Sequence, residues 1–289
     1  MWQLTQRDRV GLSWRTELAA SILCHLDHID VVEVIIDDYL KQPLDKLRSL
    51  KLLESQVDVI YHSVSLGLAS SLPVPQKNLD KLARVFDYLT PTCWSEHLAF
   101  VRAGNIEIGH LAAPPRTIAT IEGALANLAR VKKTVGSLPV LENIATLLEP
   151  PGAFMSEGEW TTKILQASNT KLLLDLNNLY SNAINFGVDP ILYLHSFPLH
   201  LVQIVHLSGG KWIDEPAGFS GKRLLDDHIH DVPDPVFELL DVLARTVEQP
   251  LAVIIERDGN YPPFPQLLQE IQRAKRILRE ARSHECTVV

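Results

Sequence analysis

The sequence predicts an α/β protein, and within that class a (β/α)8 TIM barrel. Three observations lead there. Short apolar runs alternate with stretches of helical periodicity, and the alternation repeats eight times. The runs are mostly apolar at successive positions rather than at every second one, which marks strands buried on both faces, as in a parallel sheet. Finally, 289 residues, 46% of them hydrophobic and 21% charged, accommodate a barrel of about 250 residues with trimmings. One domain over residues 1–283 is expected, followed by a tail at 284–289.

The elements follow in order. Val10 to Ser13 reads as a short first strand and Glu17 to His25 as an amphipathic helix. Val31 to Ile35 is the second strand and Leu44 to Leu53 its helix. The third strand, Val57 to Ser65, contains His62, and Pro73 and Pro75 break the chain before a helix from Lys77 to Leu89. The fourth strand, Thr92 to His97, leads into a long connection, Ala99 to Pro115, with a hairpin around Ala103-Gly104-Asn105. A long helix follows, Thr117 to Val135, and then the fifth strand, Leu138 to Glu142. Trp160 to Ala167 is helical, Leu172 to Asp175 is the sixth strand, and Pro190 to Ser196 is a short helix. Leu201 to His206 is the seventh strand, followed by a Gly-rich irregular segment from Ser208 to Gly221. A helix from Pro235 to Thr246, the eighth strand from Ala252 to Glu256 and a closing helix from Phe264 to Arg282 complete the chain. There is no repeat of fixed period and no low-complexity tract.

Composition narrows the function. A net charge of -8 and a pI near 5.8 argue against a protein built to coat nucleic acid. The polar stretch Met1 to Val10 has no apolar core of a signal peptide, and no apolar run approaches the ~20 residues that span a bilayer. Cys24, Cys93 and Cys286 are odd in number and lack paired spacing, so a reducing cytoplasm is expected.

The strands share a grammar: an apolar run that ends in a metal-ligating residue. Leu172-Leu-Leu-Asp175 is the clearest case, because a carboxylate at the end of so apolar a strand needs a compensating partner. Taken alone, Asp175 would serve as well as a helix N-cap. The pattern recurs, however, at His62, His97, Glu142, His206 and Glu256, and Asp226 and His228 lie in the loop after the seventh strand. In a (β/α)8 barrel the C-terminal ends of the strands form the active-site face. So many imidazoles and carboxylates in one cavity would repel and raise each other's carboxylate pKa values, and divalent cations resolve this. Each residue has a plainer role open to it: Glu256 in a local ion pair with Arg257, Asp226 as a helix cap, His230 as a solvated side chain, Cys93 as core. About eight ligand-type groups exceed what one ion uses, so two or three ions bridged by carboxylates are expected, with Asn178 as a possible ninth group. No cysteine joins them, which disfavours zinc–thiolate and iron–sulfur chemistry; Fe, Mn and Zn all remain open.

The chain also resembles a known family. Gly11-Leu-Ser-Trp-Arg15, Ile29-Asp-Val-Val-Glu-Val34, His62-Ser-Val-Ser-Leu66, Ser95-Glu-His-Leu98, Leu141-Glu-Asn143, Leu174-Asp-Leu-Asn-Asn178, His206-Leu-Ser-Gly209, Asp226-Asp-His228 and Glu256-Arg-Asp258 occur in the order and spacing of the multinuclear non-haem iron-dependent oxidases. That group includes the methanobactin-biosynthesis oxidase, and the similarity runs from about residue 9 to 275. The resemblance implies a TIM barrel with two or three irons (Fe2+/Fe3+), O2 as co-substrate, and modification of a ribosomally made precursor peptide, commonly at cysteine. It implies a separate partner protein that captures the leader peptide. By motif, the implied ligands are His62, His97, Glu142, Asp175, Asn178, His206, Asp226, His228 and Glu256.

There are two departures. Many relatives carry a His or aromatic residue where this chain has Gly210, a difference expected to open room in the pocket, and many have Ser-Asp-His in place of Ser95-Glu-His97. The expected chemistry is hydrogen removal from a cysteine Cβ with O2 as the oxidant, under a Gly-rich cover from Trp212 to Lys222, with Arg15 or Lys222 meeting a peptide carboxylate. The competing assignments are a two- or three-metal phosphoesterase or sugar isomerase on the same fold, and a metal-loaded scaffold that docks a peptide without altering it.

Overall fold

In the computed structural model, described for residues 7–104, 106–214 and 221–283, eight parallel strands form a closed barrel. The N-terminal elements are β1 (Arg9–Ser13), α1 (Ala19–Cys24), β2 (Val31–Ile35), α2 (Arg48–Glu54), β3 (Asp58–Ser63) and α3 (Gln76–Leu89). They are followed by β4 (Trp94–His97), the hairpin β5 (Phe100–Ala103) and β6 (Ile106–Ala112), α4 (Ile118–Val135), β7 (Val140–Glu142) and α5 (Glu157–Ser168). Next come β8 (Leu172–Asp175), α6 (Leu176–Phe186), α7 (Pro190–His195), β9 (Val202–Leu207), β10 (Gly210–Asp214) and β11 (Lys222–Asp226). The chain closes with α8 (Asp234–Thr246), β12 (Ala252–Ile255) and α9 (Phe264–Ser283). Around the barrel the order is β1-β12-β9-β8-β7-β4-β3-β2, so the eight strands expected from the sequence are the eight that close it.

The chain groups into two compact units. The first consists mainly of Glu33–Ile144 and Leu148–Leu173. Its strands run in register so that their C-terminal ends are level: His62 pairs with Ser95 across β3 and β4, and His97 with Glu142 across β4 and β7. The second unit holds residues up to Val32, Ala145–Leu147 and the chain from Leu174 onward. Here β12 lies between β1 and β9, with Leu12 beside Ile255 and Ile254 beside His206. Leu172, Leu173 and Leu174 are all fully buried, as a strand covered on both faces requires.

Two segments after β8 differ from expectation. The residues after Asp175 form an 11-residue helix, α6, before the short helix α7 that the sequence predicts. The "irregular" stretch after β9 is an antiparallel hairpin, with Trp212 opposite Leu224 and Gly210 opposite Asp226. Residues 215–220, the middle of the expected cover, lie outside the described residues, as do Asn105, Cys286 and the expected tail. Gly209 and Gly210 serve close packing there. A Cβ on Gly210 would stand 2.4 Å from the Leu225 carbonyl oxygen, and one on Gly209 would stand 2.3 Å from that of Asp231. The absence of a side chain at Gly210 therefore admits a neighbouring strand rather than opening a pocket.

Candidate metal centre

In the first unit, β3, β4 and β7 deliver His62, His97 and Glu142 to one point. Each offers a ligand atom within 4.8 Å of the others, and all three are buried. His62 Nε2 is 3.5 Å and His97 Nε2 3.3 Å from Glu142 Oε2. Donors bound at about 2.1 Å to one tetrahedral ion stand roughly 3.4 Å apart, so the spacing suits a shared cation. His62 Nδ1 is 2.8 Å from Ser95 Oγ, a contact that fixes the ring and leaves Nε2 facing Glu142. Glu96, beside His97, accepts from the backbone N–H groups of Leu66 and His97. Burial pushes its carboxyl upward, with partial relief from His97.

In the second unit, Asp175, His206 and Glu256 likewise bring ligand atoms within 4.8 Å of one another. Asp175 has two tasks: its Oδ1 caps α6 by accepting from the Asn178 backbone N–H at 2.6 Å, while its carboxylate also belongs to this trio. Glu256 Oε2 lies 3.2 Å from both His206 Nδ1 and His228 Nδ1. Burial alone would raise the Glu256 carboxyl, but the two imidazoles outweigh it and hold it well below the usual range. Burial likewise opposes a charge on His228, yet Glu256 and Asp226 hold that imidazole well above its ordinary value.

His228 Nε2 stands 2.8 Å from Asp226 Oδ2 without forming an aligned hydrogen bond. The two side chains are mostly buried, and at this spacing both atoms could serve one cation. The donor set, imidazole and carboxylate with no thiolate, fits iron, manganese or zinc.

Asn178 is placed differently from its neighbour. Its backbone N–H donates to the capping Asp175 Oδ1, whereas the side chain that reaches Asp226 is that of Asn177, whose Nδ2 donates to Asp226 Oδ1 at 2.5 Å. The two Asn residues are adjacent in sequence, and only the helix phase set by the Asp175 cap separates them. Two plainer roles do not materialise. Arg257 bonds Asp231 rather than Glu256, and α8 is preceded by Pro233, so Asp226 caps nothing there. Arg15 donates to the partly exposed Asp258, which itself lies 3.6 Å from His228 Nδ1. His230 Nδ1 contacts Asp227 at 2.8 Å, and Cys93 is buried core whose thiol is pushed up by burial.

The fold and site thus define a (β/α)8 barrel with buried His/carboxylate groups able to hold metal ions. The sequence profile of the RiPP precursor modification enzymes MbnB/TglH/ChrH matches residues 9–279, and the chain belongs to this family. It is 32% identical to a UPF0276 protein of Streptomyces avermitilis, over 94% of this chain and 55% of that one. It thus spans about half of that relative. A UPF0276 protein of Acaryochloris marina is 29% identical over 98% of this chain and 99% of its own length. Among solved structures, an L-ribulose 3-epimerase superposes with a TM-score of 0.60 at 14% identity, covering 98% of each chain. A xylose isomerase-like TIM barrel protein from Mycobacterium smegmatis, in complex with magnesium, gives 0.58 at 10% identity, covering 94% of this chain and 97% of its own. These two similarities establish the shared fold. No helix among the described residues is long and apolar enough to cross a membrane.

Proposed function

We propose that this chain is a multinuclear non-haem iron oxidase that uses O2 to modify a cysteine of a ribosomally made precursor peptide, in the cytoplasm and with a partner protein that presents the leader. The observation that carries the proposal is the pair of buried, thiolate-free His/carboxylate sets at strand ends, in a family of precursor-modifying enzymes. His62, His97 and Glu142 would hold one ion, and Asp175, His206, Glu256, Asp226 and His228 the remainder, with the Asn178 side chain as a neutral ligand. Iron held there supplies the redox equivalents and open positions for substrate thiolate and O2.

The protein's own groups prepare that site. Ser95 orients His62. Glu256 lies between His206 and His228, and its negative charge favours a cation beside both rings. Asn177 holds Asp226 by a hydrogen bond from Nδ2. Burial of the trios keeps bulk water from the ligands and strengthens every charge interaction among them.

The test is anaerobic loading with Fe(II), an iron-to-protein count, then aerobic incubation with a cysteine-containing peptide encoded beside the gene. Iron-dependent O2 uptake and a changed peptide mass are expected. Zinc with phosphatase activity and no O2 uptake would overturn the proposal in favour of a hydrolase. An unchanged peptide with intact iron would leave a docking scaffold.

A further inference from the structure

We infer that Asn185 is a positioning residue: it latches the β10–β11 hairpin onto α6 and thereby delivers Asp226 and His228 to the metal centre. The inference rests on the proposed metal role of those two residues.

The geometry is unusual for a helix–strand contact. Asn185 Nδ2 donates to the Leu224 carbonyl at 2.9 Å, and the Leu224 N–H donates to Asn185 Oδ1 at 2.8 Å. In an antiparallel strand the N–H and C=O of one residue point to the same side. Leu224 therefore turns both groups away from Trp212, its cross-strand partner on β10, and the Asn185 amide takes the place of the next strand. Arg223 adds a hydrogen bond to the Asn185 carbonyl from the adjoining position. Two residues beyond Leu224, Asp226 receives the hydrogen bond from Asn177.

Asn177, Ser181 and Asn185 recur at four-residue intervals on one buried face of α6. Such a face is costly unless satisfied, and at its two ends Asn177 bonds the Asp226 carboxylate and Asn185 the Leu224 backbone. Ser181 Oγ and Asn177 Oδ1 are buried without a hydrogen-bond partner, so the stripe still has oxygen atoms to offer beside the ligands. Asp226 is the last residue of β11 and sits opposite Gly210, while the His228 N–H donates to the carbonyl of the adjoining Gly209 and the His228 carbonyl accepts from Asp258 N–H, so His228 is fastened at the base of the same hairpin.

The experiment compares the full chain with Asn185→Leu, which removes both hydrogen bonds, and Asn185→Ser, a smaller polar change retained in case the first fails to fold. Anaerobic Fe(II) titration measures binding, hydrogen exchange measures the amides of residues 222–226, and the thermal midpoint measures the whole fold. The expected result is faster exchange confined to the hairpin and at least a tenfold loss of affinity for one iron, with any other iron retained and the midpoint lowered by no more than a few degrees. An unchanged Fe(II) isotherm overturns the inference, whether or not exchange accelerates. A lowered midpoint with uniformly faster exchange overturns it too, because Asn185 would then be a structural residue of the whole domain. If the unsubstituted protein binds no Fe(II), the metal proposal itself fails, and positioning of metal ligands falls with it.

Discussion

Asp175 offers the sharpest test, because one carboxylate does two separable things. Its Oδ1 caps α6 through the Asn178 N–H, and its fully buried carboxylate belongs to the trio with His206 and Glu256. Asp175→Asn keeps an oxygen for the cap, since Asn and Asp are equivalent N-caps, but lacks the charge that an ion requires. Asp175→Ala removes both, and the cap alone is worth about 1 kcal/mol. Without metal, the Asn variant should melt at or above the unsubstituted protein, because a buried negative charge beside Glu256 is gone. The Ala variant should then lie about 2 °C below, given that 1 kcal/mol moves the midpoint of a domain somewhat smaller than this by roughly 2–4 °C. Fe(II) at a hundredfold excess over its dissociation constant adds about 2.7 kcal/mol to a protein that binds it. Both variants should lose most of that increment. Anaerobic thermal melts with and without Fe(II), together with an iron count, read all of these terms. If Asp175→Asn retains the full Fe(II)-dependent shift and a full complement of iron, Asp175 is a helix cap and nothing more.

Ser95→Ala should lower Fe(II) affinity at the His62 site by 10- to 100-fold with little change in thermal stability, because only the hydroxyl that orients His62 is lost; equilibrium titration reads this directly. Gly210→Ala forces a Cβ to within 2.4 Å of the Leu225 carbonyl oxygen and should cost about 1–3 kcal/mol, seen as earlier unfolding in denaturant and faster exchange along the hairpin. Burial pushes the Glu270 carboxyl from its ordinary 4.5 up to about 7. The folded chain therefore holds a proton that the unfolded chain releases, and stability contributed below pH 4.5 is lost as pH rises to about 7. Glu270→Gln, able to keep the bond from Val232 N–H, should gain roughly 2–3 kcal/mol at pH 8 and nothing at pH 4, measured by denaturant unfolding at both values.

The barrel was legible because its strands are buried on both faces. Leu172–Leu174 and Ala252–Ile255 have no water-facing side, so every position is apolar and the run stands out against amphipathic helices such as α3 and α9. The strand-end residues were legible for the converse reason: His62, Glu142 and Asp175 are polar groups at the point where apolar character stops. Edges were less so. The stretch Leu44 to Leu53, expected as one helix, is a 3-10 turn over Leu44–Leu47 followed by α2, because the apolar spacing that sets the face does not set the hydrogen-bond step.

The segments that escaped detection are those that build the site. Residues 176–186 carry Asn177, Asn178, Ser181, Asn182 and Asn185, a composition that favours turns, because short polar side chains compete with the backbone for its hydrogen bonds. They form a helix nevertheless because those side chains have other partners: Asn182 accepts from Thr146 N–H, Asn177 donates to Asp226, and Asn185 bonds Leu224 twice. Local propensity is overridden by a polar interface whose other half, β11, is itself masked in the sequence by neighbouring glycines. Gly209 and Gly210 look like flexibility but mark places where backbones touch. The two misreadings share one cause, since the polar side chains of α6 and the backbone of the hairpin specify each other. A protein that must hold carboxylates and imidazoles together in its interior spends local consistency at that place, and the neighbourhood of Asp226 is where this chain does so.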